Sequence, residues 1–198
     1  MNYLGLDLAG SSLRPTGGCI INHELSVCCF VLHSDDEILV LAGRSRPKVV
    51  AIDAPLALPT GRHCLGEHCR GRERFRTCDL ALRRMGIRFF PITLGPMRTL
   101  TSRGMRLREK LERRGFEVIE TYPGAAQDMM GISRKQYGLE RLQRSLRKIG
   151  CSGDISARRL SGDELDAVSC ALVAKDYEDG RYLAIGNPCE IMMILPRR

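Results

Sequence analysis

The chain has 198 residues, 43% of them hydrophobic and 27% charged, a composition typical of a folded domain with its own core. No apolar run approaches the roughly 18 residues of a membrane helix, and the first residues lack the features of a signal peptide, so we expect a cytoplasmic protein without a membrane partner. The formal net charge of +8 favours polyanionic partners, and among these we expect DNA or RNA.

The first part of the chain predicts three antiparallel strands, a helix and a buried strand. Apolar runs at 3–8, 18–22 and 27–32 are separated by tight turns, as in an antiparallel meander. A helix is expected from Ser34, and Pro47 prevents its continuation. The next strand, 49–53, is almost entirely apolar, which is typical of a central parallel strand.

Residues 55–114 are predicted to form a basic helical insertion that contains cysteine and histidine. Within it, residues 62–114 carry fifteen basic and five acidic side chains, and helices are expected at about 77–86 and 102–114. Helical spacing puts several cations on one side of the second helix, so we predict phosphate contacts; a solvated surface without a ligand is the alternative. The predicted contact residues are Arg83, Arg103, Arg106, Lys110 and Arg113.

The remaining elements complete one α/β domain over residues 1–198. A strand at 116–122 precedes helices at about 134–148 and 163–176. We predict a mixed five-stranded sheet, with three antiparallel strands and then parallel strands, flanked by helices. The apolar stretches of the tail are expected to add a strand or to pack on an edge.

Three of the expected strands end in an acidic residue, namely Asp7, Asp53 and Glu120. Ligand sites of α/β sheets gather at the carboxyl ends of strands, and a carboxylate within an apolar strand is costly unless it is paired or metal-bound. The last helix adds Asp163 and Asp166, which are three residues apart and share one face, although Asp163 has an alternative role as a helix cap.

These acids predict a divalent metal site for phosphodiester cleavage. Carboxylates without histidine suit Mg²⁺ or Mn²⁺, and two such ions can activate water and stabilise the leaving oxygen. We predict that Asp7, Asp53 and Asp166 bind the metal and that Asp163 or Glu120 assists in catalysis.

The ordered motifs of the chain resemble those of domain-of-unknown-function family 429, a group of predicted nucleases. The resemblance covers about residues 2–176 and rests on the segments 5–10, 14–17, 51–56, 78–79, 82–83, 86–87, 118–123 and 163–167. It implies an RNase H-like fold near that of Holliday-junction resolvases. It also implies acids on the first strand (Asp7), the fourth strand (Asp53) and the last helix (Asp166 and Asp163). RNases H of the best-known type carry a glutamate on the first helix, whereas here that helix offers Glu37 only near its start, so we do not expect ribonuclease H activity.

A cysteine- and histidine-rich segment suggests a separate zinc site, formed by Cys64, His68, Cys69 and Cys78. Free thiols, with Cys78 packed beneath its helix, are the alternative. Most of the nine cysteines are interpreted as reduced core residues rather than as a disulfide framework. We expect the segment to lie beside the sheet, away from the acids.

Three functions are compatible with these features. The first is a metal-dependent nuclease that acts on structured or single-stranded nucleic acid. The second is a non-catalytic nucleic-acid-binding protein of the same fold, which would not bind Mn²⁺ specifically. The third is an ATP-handling relative of the actin-like kinases, which is disfavoured because those enzymes carry two such domains; thermal stabilisation by ATP would favour it.

Overall fold

A computed structural model of the chain describes residues 1–11, 13–66, 69, 71 and 73–197. Eight strands are present in the described residues: β1 Asn2–Asp7, β2 Thr16–Asn22, β3 Ser26–Leu32, β4 Val49–Asp53, β5 Glu117–Glu120, β6 Ser152–Gly153, β7 Tyr182–Ile185 and β8 Met193–Pro196. The helices are α1 Asp35–Ser45, α2 Thr77–Arg84, α3 Gly95–Glu112, α4 Pro123–Met129, α5 Leu139–Lys148, α6 Asp154–Ala157 and α7 Gly162–Glu178. Two 3₁₀ turns cover Lys135–Tyr137 and Pro188–Glu190.

The strands form one mixed sheet in the order β6-β3-β2-β1-β4-β5-β8-β7. Strands β1, β2 and β3 pair antiparallel, and β4, β5 and β8 extend the sheet from β1 in parallel. The α/β class and the change from antiparallel to parallel pairing are confirmed, but the predicted number of five strands is wrong. The additions lie at the edges, where β6 has only two residues and β7 pairs antiparallel with β8. The two residues of β6 carry too little alternation to be recognised from sequence, whereas β7 and β8 lie in the apolar stretches of the tail, which were expected to add a strand or to pack on an edge.

Alternation along the central strands separates the core into two layers of helices around the sheet. Tyr3 and Ala51 point to one face, where α7 packs, whereas Leu4 and Ile52 point to the other face. The second face is covered by α1 and α3, and Leu107 of α3 is fully buried there. Helix α3 is therefore part of the core, although it lies within the segment predicted as an insertion.

Helix α7 is the central helix of the fold and is buried continuously from Glu164 to Lys175. Its backbone lies directly on β1 and β2 because two glycines permit the contact. A Cβ atom on Gly5 would come within 2.1 Å of the Ala167 carbonyl oxygen, and one on Gly17 within 2.1 Å of the Asp163 carbonyl oxygen. No other residue type fits at these two positions without moving the helix. The two glycines thereby fix the height of α7 above the ends of the strands.

The basic helix predicted at 134–148 is interrupted. Residues Lys135–Tyr137 form a 3₁₀ turn, and α5 starts only at Leu139, because Gly138 adopts a φ of 114°, which is outside the helical region. The break turns Lys135 away from α5 and towards the carboxyl end of the sheet. In the described part of the chain, no helix is both long enough and apolar enough to cross a membrane.

Candidate active site

Two of the predicted acids lie side by side at the carboxyl end of the sheet. Asp7 ends β1 and Asp53 ends β4, and the two residues are direct partners in the parallel register of these strands. Neighbouring strands are about 4.8 Å apart, so carboxylates in this relation repel each other strongly when both are ionised. Both side chains point to the face that α7 covers, as the alternation in the sequence predicts.

Helix α7 brings two further acids to the same place. Asp166 is buried, and its Oδ1 accepts a hydrogen bond of 2.8 Å from the Nε2 of Gln127 on α4. Asp163 lies one turn earlier and lines the same cleft as Asp7. The alternative role of Asp163 as a helix cap does not apply, because Ser161 is the N-cap residue and its side chain accepts the Glu164 N–H. Asp163 is thus available to the cleft.

A lysine that the sequence analysis did not select lies between two of these aspartates. The Nζ of Lys135 is 2.5 Å from Oδ2 of Asp166 and 3.8 Å from Oδ2 of Asp7. The lysine side chain is 46% exposed, whereas those of Asp166 and Asp7 are 6% and 15% exposed. The ammonium group therefore reaches from solvent into the acidic cluster and neutralises part of its charge.

The electrostatics of the cluster are dominated by burial. Burial raises the pKa of the Asp7 carboxyl to about 7; the Lys135 ammonium opposes this shift, and the carboxylate of Asp166 adds to it. Burial also raises the pKa of Asp53 well above its ordinary value, and the charge of Asp7 raises it further. Burial lowers the pKa of Lys135, but Asp166 and Asp7 raise it by more, so the ammonium stays charged. The site holds more acid than its single lysine can balance.

The donor atoms of the cluster are all carboxylate oxygens, which is the set that Mg²⁺ and Mn²⁺ prefer. The Lys135 ammonium shows that a cation is accommodated between Asp7 and Asp166. In the present arrangement, however, no three His, Cys, Asp or Glu side chains of the described residues are grouped as a metal site. Among the same residues, the carboxylate of Asp53 accepts no hydrogen bond and forms no ion pair. Lys135 therefore occupies the space between Asp7 and Asp166.

The sequence profile described as "Protein of unknown function (DUF429)" matches residues 5–190. The chain belongs to the DUF429 family. This match confirms the resemblance inferred from the motifs. Among curated proteins, none matches the chain.

Solved structures similar to this DUF429 protein include RuvC of T. thermophilus in complex with a Holliday junction substrate. That chain is 13% identical over 91% of this chain and 97% of its own length, with a TM-score of 0.52. A further Thermus thermophilus RuvC structure is 14% identical over the same shares of the two chains, with a TM-score of 0.47. The first likeness shows that the DUF429 protein has the fold of RuvC, an α/β fold with a mixed sheet.

The predicted assistance of Glu120 is not supported by its surroundings in this DUF429 protein. Its carboxylate is buried and accepts two hydrogen bonds from the guanidinium of Arg76, at 2.5 and 2.7 Å, and one of 2.8 Å from the Leu56 N–H. Arg76 also binds Asp79, at 2.9 Å. Burial lowers the pKa of Arg76, but the carboxylates of Glu120 and Asp79 together help to raise it well above its ordinary value. Glu120 is therefore hydrogen-bonded within its own network with Arg76, because strand alternation turns it towards the face of Val118 rather than that of Asp53.

Two cysteines of the suggested zinc site, Cys64 and Cys69, lie together, but Cys78 does not join them. Cys64 donates a hydrogen bond to Cys69, which lowers the pKa of Cys69 to about 6. Cys78 is instead fully buried in a core cluster, where burial raises its pKa, and it packs against Gly186. His68 lies outside the described residues. Among the described residues no group of three metal-binding side chains includes these cysteines, so the alternative with Cys78 packed beneath its helix agrees with the structure.

All nine cysteines of the chain are free. Five of them are buried, as expected for reduced core residues: Cys19, Cys29, Cys78, Cys151 and Cys170. Cys28 and Cys189, which lie in apolar runs of the sequence, are exposed instead.

The five predicted phosphate contacts differ in how far they are free to meet a ligand. Arg103 is mostly buried and donates inwards, to Asp35 at 2.8 Å and to the Ala9 carbonyl at 2.5 Å, so it holds the end of β1 in place. Lys110 lies 3.8 Å from the same Asp35. The other three are exposed: Arg83 on α2, Arg106 on α3, and Arg113, which pairs with Glu109 at 3.5 Å. The basic side of α3 is thus partly neutralised by its own neighbours.

Lys135, Gln127 and Arg76 are the site residues that the sequence analysis missed. One signal was available for Lys135, which is one of only five lysines in a chain with 26 arginines. Because Lys135 was assigned to a continuous helix, its direction could not be inferred. Arg76 was hidden among many arginines of an irregular segment, and Gln127 carries no charge that would mark it.

Proposed function

We propose that this protein is a divalent-metal-dependent nuclease whose active site contains Asp7, Asp53 and Asp166, with Asp163 beside them. The observation that carries the proposal is the pairing of Asp7 and Asp53 at adjacent strand ends, under the first turns of α7. Buried carboxylates that repel one another at this spacing favour a cation, and their oxygens suit Mg²⁺ or Mn²⁺.

Two facts support nucleic acid as the substrate. The chain carries a net charge of +8, which attracts phosphates over a distance. The T. thermophilus RuvC structure of similar fold is bound to a Holliday junction substrate. We extend only the class of ligand, a nucleic acid, to the present chain.

Each residue of the cluster has a distinct part in this proposal. Asp7, Asp53 and Asp166 would hold the metal, which supplies activation of the attacking water and stabilisation of the leaving oxygen in phosphodiester cleavage. Gln127 fixes the carboxylate of Asp166 through its hydrogen bond of 2.8 Å. Lys135 compensates Asp166 and Asp7 in the metal-free protein and, once displaced, is long enough to meet a phosphate at the cleft.

The test is cleavage of Holliday-junction, single-stranded DNA and RNA substrates by the purified protein with Mn²⁺ or Mg²⁺. Asp7→Asn and Asp166→Asn should abolish cleavage, while Asp36→Asn, which changes an exposed aspartate of α1, should not. Cleavage that persists in both site variants would assign the activity to a contaminant or to another site and would end the proposal.

A second candidate is a nucleic-acid-binding protein of the same fold without catalysis. It is favoured by one observation, namely that Lys135 lies between Asp7 and Asp166, where it replaces part of the charge of a metal. Calorimetric titration with Mn²⁺ separates the two candidates: specific binding that is lost in Asp7→Asn supports the nuclease, and the absence of binding supports the second candidate.

A further inference from the structure

A large open cleft next to the acids is lined by an unusual share of the aromatic residues. Its volume is about 1110 Å³. The chain has only ten aromatic residues, five Phe and five Tyr, and no Trp. Five of the ten line this cleft: Phe75, Phe89, Phe90, Tyr122 and Tyr137. We call this surface the aromatic cleft. Aromatic side chains usually contribute to a core, so their concentration on an open surface indicates a ligand.

The rings of the aromatic cleft fall into a fixed group and an exposed group. Phe75 and Phe89 contact each other edge to face with centroids 5.6 Å apart. The hydroxyl of Tyr122 donates to the Arg88 carbonyl at 3.1 Å. In contrast, Phe90 is 67% exposed and Tyr137 is 62% exposed. Two rings are therefore presented to solvent, and the other three are held by contacts within the protein.

The charge of the aromatic cleft suits an anionic ligand. Arg83, Arg88 and Arg134 line it together with one acid, Asp128. Asp128 is paired with Arg134, whose Nε lies 2.7 Å from Oδ1. Arg83 and Arg88 are exposed. The combination of flat apolar rings and free guanidinium groups is the one that proteins use for unpaired nucleic acid, since rings stack on bases and cations meet phosphates.

The aromatic cleft adjoins the carboxylates through shared residues. Phe90 also lines the cleft that contains Asp7 and Lys135, and it lines the smaller cavity at Asp53. Tyr122 is common to the aromatic cleft and the cavity at Asp53. A strand that lies in the aromatic cleft is therefore led towards the acids.

We propose that the aromatic cleft binds an unpaired stretch of nucleic acid, with bases stacked on Phe90 and Tyr137 and phosphates near Arg83 and Arg88. A continuous duplex offers no free base faces to these rings, so the site selects single-stranded or locally opened substrates. This inference deepens the proposed function by naming its substrate class, but binding itself needs neither the metal nor catalysis.

The experiment measures binding of the full chain to labelled oligonucleotides by fluorescence anisotropy in buffer with a chelator, so that nothing is cut. Three probes are used: an oligothymidine strand, the same strand with abasic sites, and a duplex of equal length. The wild-type protein should bind the oligothymidine about tenfold or more tightly than the abasic strand, as expected for stacked bases. The duplex should also bind more weakly than the oligothymidine.

Variants separate stacking from charge. The double variant Phe90→Ala, Tyr137→Ala should bind the normal and abasic strands equally, whereas Tyr137→Phe should keep the wild-type preference because the ring remains. Arg83→Gln with Arg88→Gln should weaken both strands alike and reduce the salt dependence of binding by about 0.7 per lost phosphate contact. Val40→Ala, which shortens an exposed apolar side chain on α1, is the control and should change nothing.

Two results overturn the inference: equal binding of normal and abasic strands by the wild type, or binding of the duplex as tight as that of the single strand. Absence of binding to any probe at low salt overturns it as well. A protein that shows the stacking preference but cuts no substrate with Mn²⁺ contradicts only the nuclease proposal. A protein that cuts, but does not distinguish the abasic strand, contradicts only the role of the aromatic cleft.

Discussion

Two buried charge clusters lie at the carboxyl ends of neighbouring strands, and they differ in how their acids are compensated. In the cluster of Glu120, the guanidinium of Arg76 donates to both carboxylate oxygens and also binds Asp79. In the cluster of Asp7 and Asp53, the only bonded cation found among the described residues is the half-exposed ammonium of Lys135. We call the first cluster complete because both of its acids are hydrogen-bonded to the buried guanidinium, although Arg76 carries one positive charge for the two. We call the second cluster incomplete because the carboxylate of Asp53 has no hydrogen-bonded cation among the described residues. We therefore expect function at the strand-end acids that lack a hydrogen-bonded cation, and a structural role for those that have one.

The largest expected effect comes from breaking the complete cluster. Arg76→Met leaves Glu120 and Asp79 buried without their cation, so we expect a loss of about 3–5 kcal/mol in the free energy of unfolding. Urea denaturation measures it, with Arg84→Met as the control, because Arg84 is an exposed arginine of α2 and should matter little. Adding Glu120→Gln to Arg76→Met should recover part of the loss. A loss below about 1 kcal/mol for Arg76→Met would contradict the stabilising role given to the network.

A substitution in the incomplete cluster should lower activity but stabilise the metal-free protein. Asp7→Asn should lower metal-dependent cleavage at least about 100-fold, since even indirect partners of a metal cost 10- to 100-fold. At pH 8, above the pKa of about 7 to which burial raises Asp7, the same change should raise the melting temperature of the metal-free protein, because it removes a buried negative charge. Differential scanning calorimetry in chelator tests this. A lower melting temperature would show that the Asp7 carboxylate is well compensated by Lys135.

A buried acid outside both clusters, Glu190, sharpens the comparison because it is stabilised without a cation. Glu190 accepts the N–H groups of Thr60 and Thr77 at 2.7 and 2.6 Å. Burial raises its pKa, but these hydrogen bonds lower it by more, to about 2. Glu190→Gln keeps one acceptor oxygen and should cost about 1–3 kcal/mol at pH 7.

The pH dependence of this effect has a defined sign. A folded-state pKa below the ordinary value of 4.5 gives stability that is present above pH 4.5 and is lost as the pH falls through about 2. Urea midpoints of wild type and Glu190→Gln should therefore converge over that range. A difference that stays constant from pH 7 to pH 2 would assign it to the shape of the side chain rather than to its charge.

The smallest expected effect concerns the lysine of the incomplete cluster. Lys135→Met keeps the length of the side chain and removes its charge, so Mn²⁺ should bind about tenfold more tightly, or about 1.4 kcal/mol, in calorimetric titration without substrate. Lys148→Met, at the end of α5, is the matched control. Unchanged or weaker Mn²⁺ binding in Lys135→Met would mean that the metal does not compete with this ammonium.

The sequence was sufficient to place Asp7 and Asp53 at strand ends and Asp166 on the last helix, because these positions depend on local pattern. Alternation determines which face of a strand an acid occupies, and the expected acid-bearing helix was found as α7. The partners of the acids depend on long-range packing instead. Arg76 meets Glu120 across 44 residues of chain, and Lys135 reaches Asp166 only because Gly138 breaks the predicted helix.

The sheet shows the same division between local and long-range information. Strands β1 to β5 carry apolar runs long enough to be recognised, and all five were expected. The two residues of β6 form a strand only because β3 provides an edge for them, and β8 is joined to β5 by the pairing of Glu120 with Met193. A strand as short as β6 is created by the tertiary fold, so its residues carry little prior indication of it. In contrast, β7 and β8 lie in the apolar stretches of the tail, for which a strand or edge packing was expected.

The contact at Gly5 sets the distance between the acids on the strands and the acids on α7. The space between β1 and α7 is set by the radii of backbone atoms, because the Cβ position at Gly5 is already occupied by Ala167 O and Ala171 N, at 2.1 and 2.3 Å. A single methyl group at this position would push α7 away from β1. Because α7 is one continuous helix, Asp166 in its first turns would move with it. The backbone contact thus sets the separation of the acids. A substitution that adds no charge and contacts no carboxylate would still change the geometry of the site.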